Sequence, residues 1–124
     1  MDKYLLVGLG GCLGAIARYA LGGWAAEKWG AGFPYGTLLI NVSGSFVLGL
    51  FLAVTASRLP IDPRWRLFFA VGFLGAYTTF STFTYETVQL LLANDWRPAL
   101  AYVGVSNVLG VGAALLGIGL GRIL

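Results

Sequence analysis

Four apolar stretches, at residues 4–26, 35–57, 64–93 and 98–122, take up nearly the whole chain. A bilayer core about 30 Å thick is crossed by a helix of about 20 apolar residues, so each run is long enough. A spanning helix bonds all of its own backbone groups, which lipid cannot do for it. Hydrophobic residues make up 58% of the chain and charged residues only 10%. Soluble domains carry about 25% charged residues. The sequence therefore predicts an all-α membrane protein, one domain over 1–124, with four transmembrane helices, crossing the inner (plasma) membrane several times. The first run is too long for a signal-peptide core and little positive charge precedes it, so it reads as a retained span.

The same counts exclude several functions. A net charge of +3 spread over loops anchors a membrane chain and does not bind nucleic acid. A single cysteine, Cys12, forms no intrachain disulfide and reads as a small packing residue. The chain has no histidine, which removes the usual zinc sites and the usual neutral-pH proton relay. The run Gly8-Leu-Gly-Gly-Cys-Leu-Gly looks like a dinucleotide fingerprint, but Leu13 stands where the third glycine belongs and no strand precedes it. No hydrolytic, redox or phosphate-binding constellation is present, so an enzyme is not expected.

Four spans put both termini on one side, with Lys3, Arg58, Arg64, Arg66 and Arg122. Lys28 and Arg97, with Arg18 at a helix end, lie on the other. This bias leans toward cytoplasmic termini and is compatible with insertion both ways. Gly10 with Gly14, and Gly117 with Gly121, form small-xxx-small pairs that let helices approach closely.

One stretch does not suit a plain spanning helix. Gly72–Glu86 reads GFLGAYTTFSTFTYE, with two glycines and five Ser or Thr hydroxyls inside an apolar run. Glycine costs about 1 kcal/mol in a helix interior, and Thr loses rotamer freedom there. In lipid an interruption is tolerated only where protein or a water-filled cavity covers the freed backbone. The composition predicts a break over 75–79, near the middle of the third span. In the second span Thr37, Asn41 and Ser45 fall at i, i+4 and i+8, on one stripe. Ser43, Thr87 and Asn107 taken singly read as hydrogen-bonding glue between helices. The stripe together with the Thr78/Thr79/Ser81 cluster points instead to a shared polar route.

The donors suit an anion. Asn41 offers an amide N–H pair and the hydroxyls rotate to donate. A helix break exposes backbone N–H groups at the positive end of its second half. Arg18 adds a fixed charge. Phe80 and Phe83 share a face directly after the break, and ring edges are positive. Glu86 is the one carboxylate within a span, and a proton-carrier role for it stays open.

Three motifs carry a resemblance over essentially the whole chain: Gly14-Ala15-x-x-Arg18-Tyr19, Gly36-Thr37-Leu38-x-x-Asn41-x-x-Gly44-Ser45, and Gly72-Phe73-x-Gly75-x-x-Thr78-Thr79-Phe80-Ser81-Thr82-Phe83. On these the chain resembles the Fluc (CrcB-type) fluoride channel family, with Ala76 where such proteins often carry a second glycine. The resemblance implies a passive fluoride-selective channel that exports the toxic ion. It also implies an antiparallel, dual-topology homodimer with two pores. By that resemblance Asn41, Phe80 and Phe83 coordinate fluoride. Tyr102 and Ser106 join a polar track with Thr79, Ser81 and Thr82, and Thr37 lies along the route. The next turn of that track falls at Gly110, which has no side-chain donor. Arg18 sits at a vestibule. Carbonyls of Gly75 and Thr78 from both subunits hold a structural Na+. The alternatives are a small proton-coupled multidrug exporter using Glu86, and a non-transporting membrane scaffold.

Overall fold

A computed structural model describes residues 2–93 and 95–124. Helix α1 spans Asp2–Trp29 and α2 spans Tyr35–Ser57. The third crossing, Pro63–Leu92, comes in two pieces. We call 63–77 α3 and Ser81–Leu92 α4. Helix α5 is Trp96–Ile123. The four crossings are long and apolar enough to span a bilayer.

Local chemistry sets the ends. Gly30 follows α1 at φ 76°, and its amide bonds the Ala26 carbonyl at 2.8 Å. That left-handed geometry is the glycine C-terminal cap. Asp62 accepts from the Arg64 amide at 3.0 Å and caps α3, with Pro63 in the first turn where its missing N–H is no loss. The Arg64 guanidinium beside it, at 2.8 Å, holds the Asp62 carboxyl below the usual carboxylate range. Asp95 caps α5 through the Arg97 amide at 3.0 Å. Helix α5 therefore begins at Trp96, before Pro98 rather than at it, because first-turn amides have no helical acceptor.

The interior is built mostly of small residues around a few large ones, Tyr102 among them, and most large apolar side chains face outward. Ala25, Ile40, Ala70, Leu74, Ala99 and Ala113 are buried, while Leu13, Ile16, Val108 and Leu116 are more than half exposed. Lipid accepts such a surface and water does not. Cys12 is exposed and so does not pack within the chain. Helices α2 and α5 approach along Gly49, Gly117 and Gly121: a Cβ on Gly49 would lie 2.6 Å from the Ala114 carbonyl oxygen, and one on Gly117 would overlap that of Phe46.

Helix α1 meets α3 in the same way, where Cβ atoms on Gly10 and Gly14 would overlap the carbonyl oxygens of Phe68 and Phe73. Those carbonyls are five residues apart and the glycines four. The wider register is possible because Arg66–Leu74 is wound as a π-helix, with i→i+5 bonds. On another face of α3 the rings of Phe69, Phe73 and Tyr77 stack at 5.5 and 5.9 Å.

The helix continues through Gly75-Ala76-Tyr77, and the non-helical residues are Thr78–Phe80. Thr78 is extended, at φ −82° and ψ 157°. The interruption therefore starts later than the glycine at 75 suggested. Tyr77 is held in the stacked row, and the first amide diverted from its helical acceptor is that of Thr79.

Gly14→Leu and Gly117→Leu should each destabilise the protein by at least about 1–3 kcal/mol, since the added side chain meets backbone, which cannot rotate away. Gly104→Ala, with open space around it, should not. Thermal unfolding in detergent checks both; equal melting of Gly14→Leu and the parent would contradict the close approach.

Candidate functional site: the interrupted third crossing

A continuous helix would pair each amide with the carbonyl four residues earlier. Thr78 still does so, with its amide 3.1 Å from the Leu74 carbonyl, and Thr84 does so again, 2.9 Å from that of Phe80. Between them the bonds from the amides of Thr79, Phe80, Ser81, Thr82 and Phe83 are not made. Side chains take over part of the loss. The Thr79 amide donates to Asn41 Oδ1 at 2.8 Å, and Asn41 Nδ2 donates back to the Thr79 carbonyl at 3.0 Å. Arg18 Nε donates to the Ala76 carbonyl at 3.0 Å. The Thr82 amide donates to Thr79 Oγ1 at 3.2 Å, which caps α4. Among the described residues, the amides of Phe80, Ser81 and Phe83 and the carbonyls of Gly75, Tyr77 and Thr78 receive no such replacement.

Two neighbouring residues of α2 support this geometry. Gly44 is buried opposite the interruption, where a Cβ would overlap the Thr78 methyl and lie 3.2 Å from the Tyr77 ring. Ser43 Oγ lies 2.9 Å from the Tyr77 hydroxyl and 3.1 Å from the Ile40 carbonyl. Its single proton goes to that carbonyl, so Tyr77 is the donor to Ser43. Ser43 thus bridges two helices, as its sequence setting suggests, whereas the space Gly44 leaves for Thr78 carries no mark in the sequence.

Two clefts meet at this point. One, about 640 Å³, is lined by Arg18, Thr37, Thr79, Thr82 and Glu86. The other, about 480 Å³, is lined by Asn41, Ser45, Thr78, Thr79, Phe80, Phe83 and Ser106. Thr79 belongs to both. In the second cleft the Ser106 hydroxyl is buried and has no partner among the described residues. Asn41 keeps one amide N–H beyond the one given to Thr79. Ser45 donates to the Asn41 carbonyl at 2.7 Å and Thr78 Oγ1 to that of Leu74 at 3.0 Å, so those hydroxyls face the cleft as acceptors.

Phe80 and Phe83 lie 6.1 Å apart with planes tilted by 48°. Phe80 is 76% exposed on the open side of the cleft. Phe83 also packs on Tyr102 at 5.0 Å. Tyr102 itself is fully buried and lines neither cleft; its hydroxyl donates to Glu86 Oε1 at 2.9 Å. That phenol is thus the partner of Glu86, the candidate proton carrier of the third crossing. Ser81 is exposed and also lines neither cleft. The structure thus brings Asn41, Thr79, Phe80, Phe83 and Ser106 together, with Ser81 outside the clefts and Tyr102 behind them, touching the group through Phe83. Among the described residues, no three His, Cys, Asp or Glu side chains gather as metal ligands. A cation here would rest on backbone carbonyls.

The chain is similar to known proteins over nearly its full length. Residues 5–118 match the family described as CrcB-like protein, Camphor Resistance (CrcB). A protein of Acidobacterium capsulatum named fluoride-specific ion channel FluC is 50% identical over 120 residues, covering 97% of this chain and 96% of that one. One of the same name from Sulfurihydrogenibium is 45% identical over 124 residues and covers both chains completely. Another from Thermus thermophilus is 46% identical over 124 residues, 97% of its length.

Asn41→Leu removes both bonds to Thr79 at once. Each buried group left unpaired costs about 1–3 kcal/mol, so the segment should loosen by at least about 2 kcal/mol. Hydrogen exchange in detergent should show the Thr79 amide exchanging at least about thirtyfold faster in the variant. Unchanged exchange would mean that Asn41 does not hold this segment.

Proposed function

The chain belongs to the CrcB family, and we propose that it is a fluoride-selective passive channel through which the toxic ion leaves the cytoplasm. The family consists of ion channels and not enzymes, and the protein is a multi-pass plasma-membrane protein.

The reading is carried by the unpaired backbone of the interruption. The amides of Phe80, Ser81 and Phe83 sit at the start of α4, where the helix dipole is positive and draws anions. Those of Phe80 and Phe83 belong to the lining of a cleft that also offers the Ser106 hydroxyl and an Asn41 N–H. Fluoride is small and holds its water strongly, so a pore must replace hydration with several close donors. The edges of Phe80 and Phe83 add weak positive potential at the passage. Larger chloride loses hydration in the same passage without fitting the donors as closely. The guanidinium of Arg18 faces the first cleft and raises the local anion concentration there. The ion then passes Thr37, Thr82 and Thr79 to reach the second cleft.

The assembly belongs to the same proposal: an antiparallel, dual-topology homodimer with two pores. Its support is that Phe80 and Asn107 are exposed along the open side of the second cleft, at a depth where polar groups face protein or water. The carbonyls of Gly75 and Thr78 have lost their helical donors, which suits them to a cation. One protomer offers few such oxygens, and a two-fold mate doubles them. Bound there, a structural Na+ would neutralise the negative ends of those carbonyls; Gly75 and Thr78 would hold it.

Two observations weigh against the exporter reading. The relatives named above are fluoride channels, and Glu86 is engaged by Tyr102 in the wall of the first cleft.

Purified protein in liposomes should release fluoride and not chloride. Asn41→Asp sets a carboxylate against the anion and removes a donor, so fluoride efflux should fall at least about a hundredfold. Phe80→Ile loses the ring edge and should cost about tenfold. Equal chloride release, or full fluoride flux in both variants, would contradict the assignment. Exchanging Na+ for N-methylglucamine should lower stability by about 1–3 kcal/mol by mass action, and an unchanged melting temperature would count against the cation.

A further inference from the structure

Next to the first polar cleft, with which it shares Tyr35, a third groove of about 470 Å³ runs along the outer face of α2. Its walls are Trp29, Tyr35, Leu38, Leu39, Val42 and Leu109, all apolar or aromatic. The α2 members fall at i, i+3, i+4 and i+7, so they form one stripe along the helix. Tyr35 starts α2, and Val42 lies seven residues deeper, about 10 Å along the axis.

The mouth of the groove is ordered by polarity. Lys28 Nζ sits 5.6 Å from the centroid of the Trp24 ring. Trp24 meets Trp29 edge-on at 5.3 Å, and Trp29 meets Tyr35 at 5.9 Å. A cation therefore leads to a row of aromatic rings, and the rings lead to an aliphatic trough. Tryptophan and tyrosine mark the level of lipid headgroups, and lysine reaches up to their phosphates.

We propose that this groove holds one acyl chain of an anionic phospholipid, with the lipid phosphate at Lys28. Charge, ring and hydrocarbon succeed one another in the order of headgroup, glycerol region and tail. The dimensions favour a lipid over a second copy of the chain. A helix about 10 Å across would need nearly twice this volume over the same length, whereas a single tail is slender enough. A packed helix would also have no use for the cation at the rim. The site shares no lining residue with the second polar cleft and only Tyr35 with the first, so the groove and the proposed ion route lie on either side of that ring.

Native mass spectrometry of the purified full chain, with equal amounts of dioleoyl phosphatidylglycerol and dioleoyl phosphatidylcholine, tests the site. The parent protein should retain phosphatidylglycerol in preference, at one molecule per chain. Lys28→Gln should weaken that preference by about fivefold, the factor one surface cation supplies near anionic lipid. Leu39→Trp and Leu109→Trp fill the groove from its two walls and should release both lipids. Equal retention of the two lipids by the parent, or undiminished phosphatidylglycerol in both filled variants, would overturn the proposal. Lipid retention unchanged by filling, with a change in oligomeric state, would identify the occupant as a second copy and overturn it equally.

Discussion

The reciprocal pair between Asn41 and the backbone of Thr79 is the contact on which the rest depends. An amide or carbonyl left unpaired in hydrocarbon costs several kcal/mol, so a break at the depth of the third crossing needs substitutes supplied by neighbouring helices. Asn41 from α2 satisfies both groups of one residue, Arg18 from α1 satisfies a carbonyl just before it, and Thr79 caps the first turn of α4. The helix can therefore stop for three residues and resume. The glycine contacts serve this arrangement: Gly14 brings α1 close enough for Arg18 to reach, and Gly44 makes room for Thr78.

The same substitutions create the chemistry by being incomplete. Amides remain on one side of the interruption and carbonyls on the other, at the meeting point of two clefts. The amides suit an anion and the carbonyls a cation. Side-chain glue between helices would have left the backbone ladder whole. The polar stripe on α2 and the hydroxyl cluster of the third crossing make sense together only because that ladder is open.

Much of this is legible in the sequence. Run lengths and low charge dictate the all-helical, four-crossing architecture, because lipid allows so few solutions. The period of Thr37, Asn41 and Ser45 places them on one stripe, and the structure spreads that stripe over the two clefts. The motif at Thr78–Phe83 marks the interruption, yet Gly75 points to a start that is too early. Glycine signals low helix propensity, whereas the true boundary is set by Asn41 reaching across from another helix. Pairings such as Tyr102 with Glu86 and Tyr77 with Ser43 depend on the angles at which helices cross, and no spacing along a single chain encodes those. The π-helical turn before the interruption belongs with them, since nothing in residues 66–74 announces it apart from Gly72.

The most direct test of the central claim is an NMR titration of 15N-labelled protein in detergent, monitoring the amides of Thr79 through Phe83 as fluoride and then chloride is added. Fluoride should move the Phe80, Ser81 and Phe83 amide resonances in a saturable way, and chloride should leave them in place. Resonances that ignore fluoride, or respond alike to both halides, would show that the open backbone of the third crossing is not where the ion is recognised.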